Sequence, residues 1–141
     1  MIQRIQSIWF LLAGVAGMLT YKLPIWSGTL QDNSLKNFLG TENLLYFAAN
    51  IATVLLAFVA IFMFKNRNLQ KNLGWFGLLL SIALIGLEVY VVSDYESTLN
   101  LKQASWKFGA LMPILMIIFF FLAIQGIRKD EKLIKSLERL R

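Results

Sequence analysis

Four stretches of this chain, residues 5–21, 44–64, 73–92 and 108–127, are apolar almost without interruption. Each is about as long as a bilayer crossing, because a helix rises about 1.5 Å per residue and ~20 residues traverse ~30 Å of hydrocarbon. Three of the four hold no charged residue, and the third holds one, Glu88. Inside hydrocarbon a segment must satisfy its own backbone, so single apolar runs of this length cross as helices. The expected fold is an all-α integral membrane protein. It is a four-helix transmembrane bundle with helices over 5–23, 43–64, 73–92 and 108–127, followed by a basic amphipathic tail over 128–141.

Composition narrows the chemistry. Of 141 residues, 57% are hydrophobic and 16% charged, too few polar groups to coat a soluble domain of this size. Cys and His are absent, which removes disulfides, thiolate nucleophiles, imidazole bases and the usual transition-metal and haem ligands. A carboxylate-only metal site would need clustered acids, and the acids here are scattered. No catalytic residue, cofactor or metal is expected, and the chain reads as non-enzymatic.

The net charge of +6 is unevenly distributed. Arg4, Lys65, Arg67, Lys71, Arg128, Lys129, Lys132, Lys135, Arg139 and Arg141 lie at the two ends and in the 65–72 connection, opposed only by Asp130, Glu131 and Glu138. The other side has Lys22, Lys36, Lys102 and Lys107 among five acids, one of them Glu88. Basic residues of short loops stay inside, so both termini are expected to be cytoplasmic. Nucleic acid is not favoured as a partner, because the basic residues lack an aromatic-laced folded surface. The first run begins like a signal peptide, but it is longer than a usual h-region and ends in Tyr21-Lys22-Leu23-Pro24, without a small-x-small cleavage site. It is read as a retained helix.

Small residues mark helix-packing faces: Ala13 and Gly17, the stripe Ala49, Thr53, Ala57 and Ala60, and Gly77, Ser81 and Gly86. Tyr21, Lys22, Pro24 and Trp26 mark the outer interface, and Arg4 and Trp75 the inner one. Residues 27–43 read as a surface loop and 65–72 as a tight hairpin connection. Alternation across 97–102 predicts a short strand, and Pro113 sits near a helix start, where its missing N–H costs least.

Two intramembrane side chains are candidates for a polar site. Glu88 lies about four residues from the outer end of its helix, within reach of the interface or of Lys22, Lys102 or Lys107, and that structural role is favoured over an ion path or ligand role. Asn50 lies at similar depth and either joins helices or forms a small outward polar cluster with Glu88. Asp94 and Glu96 read as exposed loop acids. In the tail, positions 133, 134, 137 and 140 share a helical face, with Asp130 as a cap and cations towards the end. Arg128, Lys129, Lys132, Leu133, Lys135, Leu137, Arg139, Leu140 and Arg141 are therefore candidate contacts to lipid or to a protein partner. Lys65, Arg67 and Lys71 form the cytoplasmic loop that faces the same side.

The ending 122–141, with Arg128-Lys129-Asp130-Glu131-Lys132-Leu133-Ile134-Lys135 inside it, closely resembles that of an uncharacterised four-transmembrane-helix protein family of the Bacteroidota. The opening Met1-Ile2-Gln3-Arg4-Ile5-Gln6, the connector Asn66-Arg67-Asn68-Leu69-Gln70 and Pro113 are similar to the same family, which spans the whole chain. Glu138 stands where the family more usually has Asp. The family is catalogued as a domain of unknown function, so the resemblance implies topology and a bacterial inner-membrane location with periplasmic outer loops, and no catalytic residues. The expected function is an accessory or scaffold subunit that binds a larger membrane or cytoplasmic complex through its tail, with membrane lipids around it. The competing expectation is a small transporter or ligand-binding protein with an outward site near Glu88 and Asn50.

Overall fold

A computed structural model of the chain describes residues 5–99, 101 and 103–139, and the side chains of these up to 137. Expectations resting on Arg4, Lys102, Leu140, Arg141 and the side chain of Arg139 lie outside the described residues. The order is α1 (Ile5–Leu19), β1 (Trp26–Thr29), β2 (Leu35–Phe38), α2 (Leu44–Phe62), α3 (Arg67–Thr98), β3 (Gln103–Trp106), a 3-10 turn (Phe108–Leu111) and α4 (Met112–Arg139). The helices close a ring in which α1 packs on α2 and α4, and α3 on the same two.

The helix limits follow from capping chemistry and differ from the apolar runs. Asn43 caps α2 by accepting the Tyr46 N–H at 3.1 Å, and Asn66 caps α3 by accepting the Leu69 N–H at 3.2 Å. Because Asn66 is the cap, α3 starts at Arg67 instead of Leu73, and the connection shrinks from eight residues to a turn closed by Asn66 N–H to Met63 O at 3.0 Å. With 32 residues α3 is ~48 Å long, and α4 with 28 residues is ~42 Å, so both outrun a hydrocarbon core. Pro113 is the second residue of α4, as its chemistry requires. Gly126 does not end that helix. Asp130 lies in the helix interior instead of capping a separate one, its carboxylate accepting the Gln6 side-chain N–H.

A three-stranded antiparallel sheet, absent from the all-α expectation, closes one end of the ring. Its order is β2-β1-β3, with Trp26 opposite both Phe38 and Trp106. The hairpin turn contains Asn33 at φ 63° and Asp32, whose Oδ1 accepts the Ser34 hydroxyl at 2.7 Å and its N–H at 3.1 Å. Those bonds hold the Asp32 carboxyl below the ordinary range. The strand expected over 97–102 is not found among the described residues of that segment: the helix runs through Thr98, and the pairing segment is Gln103–Trp106. Trp26 is not an interface marker, since it is buried under the sheet and donates its ring N–H to Glu96 at 3.3 Å. The sheet is bound to the helices through Gly40 N–H to Thr20 O at 3.2 Å and Gly109 N–H to Pro24 O at 3.0 Å. A Cβ at Gly109 would stand 2.6 Å from the Pro24 carbonyl oxygen, so this close approach requires glycine.

Small residues let the helices meet. Ala13, Gly17, Thr53, Ala57, Ala60, Gly74 and Gly77 are buried. The rings of Phe10 and Phe120 meet edge-on with centroids 5.9 Å apart, and Phe120 fills the space beside Gly77. Gly86 is the exception to the expected stripe: it is exposed, with open space where a Cβ would project. The outward faces are also apolar, with Leu55, Phe76, Leu79, Val89 and Ile118 all exposed. Apolar surface inside and outside together is the pattern of a protein whose solvent is lipid.

Candidate functional site

The polar groups within the apolar helices collect at two levels. Near the sheet end, Tyr46 opens the first turn of α2 and donates its hydroxyl to Glu88 Oε1 of α3 at 2.8 Å. Glu88 is 3% exposed, so it does not snorkel. Among the described residues its hydrogen-bond partner is Tyr46, and neither Lys22 nor Lys107 reaches it. Four residues on from Tyr46, Asn50 is wholly buried and turns towards α1. Its amide donates to Gly17 O at 3.0 Å and to the Thr20 hydroxyl, which itself donates to Gly17 O at 2.7 Å.

Glu88 and Asn50 are therefore not bonded to one another. Tyr46 and Asn50 share the buried face of α2 and tie it to different neighbours, Tyr46 to Glu88 of α3 and Asn50 to the Gly17 carbonyl of α1. Gly17 is part of that geometry, because a Cβ there would stand 2.5 Å from Val54. What this arrangement does chemically is hold three helices in one register. Among the described residues the Glu88 carboxyl group has the Tyr46 phenol as its hydrogen-bond partner.

At the opposite end, Gln70 of α3 is buried and donates to Ala60 O of α2 at 2.9 Å, while Gln6 of α1 donates to Asp130 of α4. The side-chain carbonyl oxygens of Gln6, Gln70 and Asn50 meet no donor among the described residues. Lys71 reaches both carboxylate oxygens of Glu131, at 3.1 and 3.2 Å, and joins α3 to α4. Arg128 lies over the Trp75 ring, 5.4 Å from its centroid. Lys65, Arg67, Lys129, Lys132 and Lys135 complete a basic end, with Leu133, Ile134 and Leu137 exposed beyond it. Among the described residues of the tail stripe, Leu133 and Leu137 stand well exposed and Ile134 lines a groove towards the α2–α3 turn.

Tyr46, Thr20, Gln6 and Gln70 were not read from sequence as polar partners. Tyr46 had one available signal, its place four residues before Asn50 on the face that continues through Thr53, Ala57 and Ala60.

The architecture defines a mostly helical protein compatible with a membrane. Leu44–Phe62, Arg67–Thr98 and Phe108–Leu137 are long and apolar enough to cross one, and Ile5–Leu19 is a shorter apolar helix. Residues 2–140 match the family described as Domain of unknown function (DUF4293), and the chain belongs to that family. No curated protein and no solved structure matches it.

Proposed function

We propose that this chain is a non-enzymatic, multi-pass protein of the bacterial inner membrane, an accessory or scaffold subunit that holds a larger membrane or cytoplasmic assembly through its basic tail. In this reading α1 to α4 all cross the bilayer, the sheet is periplasmic, and both termini are cytoplasmic. The supporting observation is the far end of α4. It continues from the apolar segment without a break to Arg139, and presents Leu133 and Leu137 at 56% and 67% exposure between lysines. An apolar stripe held rigidly clear of its own bundle is a docking element. The bundle interior is occupied by packed side chains, which favours a structural role for it.

The test is affinity purification of the full-length chain beside one ended after Lys129. A partner present with the first and absent with the second supports the reading; identical partners in more than one detergent overturn it. The second reading, a small transporter or ligand-binding protein, draws support from Glu88, buried without a cationic partner among the described residues. Glu88→Gln that keeps the fold and abolishes solute flux or ligand binding would favour it over the scaffold.

A further inference from the structure

An open groove of about 650 Å³ lies between the α2–α3 turn and the far part of α4. Lys65 lines it from the turn, Arg67 and Lys71 from α3, and Glu131, Ile134 and Lys135 from α4. Four cations therefore face one carboxylate, and that carboxylate is already held by Lys71. Lys65, Arg67 and Lys135 have no acidic partner among the described residues. Like charges gathered around a concavity repel until an anion joins them, and a guanidinium beside ammonium groups suits the several oxygens of a phosphate.

The surroundings identify what kind of phosphate. The groove opens where the apolar outer wall of α2 ends, with Phe62, Met63, Phe64 and Leu69 exposed beside it and Ile134 within its lining. A soluble phosphate would use the cations and leave that wall bare. A molecule with a phosphate at one end and acyl chains at the other uses both.

We propose that this groove binds the headgroup of an anionic glycerophospholipid, with its acyl chains lying against Phe62 and Phe64. The site shares Ile134 and Lys135 with the far part of α4 and draws its other cations from the turn and the start of α3. It rests on the helices being embedded in a bilayer, and not on which end faces the cytoplasm.

Native mass spectrometry of the full-length chain with added phosphatidylglycerol or phosphatidylcholine tests it. The expected result is selective retention of phosphatidylglycerol, weakened about fivefold for each of Lys65→Gln, Arg67→Gln and Lys135→Gln. These side chains make no bond within the described fold, so the variants keep it. The triple variant Lys22→Gln, Lys36→Gln, Lys107→Gln removes the same charge from the sheet end and should leave retention unchanged. Equal retention of the two lipids, equal loss in the sheet-end triple variant and in one combining Lys65→Gln, Arg67→Gln and Lys135→Gln, or displacement by glycerol phosphate alone would each overturn the proposal. The last would indicate a soluble phosphate ligand. Retention of the unmodified chain in liposomes through an alkaline wash reports embedding separately. An embedded chain without lipid selectivity overturns the groove alone, and a chain washed free overturns both.

Discussion

Tyr46 and Glu88 show how a single hydroxyl changes the meaning of a charge. A carboxylate placed among apolar side chains is costly, and one hydrogen bond from a phenol offsets part of that cost while drawing α2 against α3. Interhelical hydrogen bonds of this type contribute about 0.6–2 kcal/mol in membranes. Tyr46→Phe leaves Glu88 buried without its donor and should lower stability by about 1–2 kcal/mol. Glu88→Gln retains an acceptor for the same hydroxyl and should cost less. Thermal unfolding of the detergent-solubilised variants reads the difference, and equal losses would mean that the bond contributes nothing. Asn50 acts by the same physics on another pair, since its amide uses a carbonyl that the small Gly17 leaves within reach.

At the level of elements, the sheet depends on contacts made far apart in sequence. β1 lies between a strand from its own loop and one that follows α3, and its neighbouring backbone joins both α1 and the start of α4. Gly109→Ala should therefore disturb more than its own turn, because the added carbon meets the Pro24 backbone, which is not free to yield. Gly86→Ala should be harmless or stabilising by up to about 1 kcal/mol, since it meets open space and improves helix propensity. Melting both variants beside the parent, followed by circular dichroism, gives the comparison. A Gly109→Ala protein as stable as the parent would mean that the sheet is not fastened there. The long helices behave differently. Their ends are set by local caps such as Asn66 and by polar bonds such as Gln6 to Asp130, which continue helical structure past the point where hydropathy falls.

For the whole molecule the open question is orientation, and the chain suits a direct measurement because it has no native Cys. In the proposed arrangement, single Cys substitutions at Asn33 and Ser97 should label from the outside of intact cells, and one at Asn68 should not. The reverse pattern would invert the assembly. The three sites are informative together, since Asn33 and Ser97 belong to the sheet end and Asn68 to the opposite turn. The same distribution of charge that predicts this orientation, ten basic residues against four, also gathers Lys65, Arg67 and Lys135 around the groove.

Hydropathy along the chain determined four apolar helices compatible with a membrane and the small-residue faces at Gly17, Ala57, Ala60 and Gly77, because helix length and close helix approach act on local composition. Pro113 was an equally local signal for a helix start, whereas Asn66 caps α3 ahead of the apolar run from which the sequence reads that helix to begin. Tertiary structure alone decided the rest. The strands are four residues each and too polar to announce themselves, and their pairing joins Trp26 to Phe38 on one side and Trp106 on the other. Trp26 is an interface residue by composition and a core residue by packing, since only the folded chain brings a sheet over it. Glu88 stood out in the sequence, but its partner is 42 residues away on another helix. Which hydroxyl or amide meets which carbonyl depends on how helices rotate against one another, and a periodic apolar pattern leaves that rotation open to within a side chain.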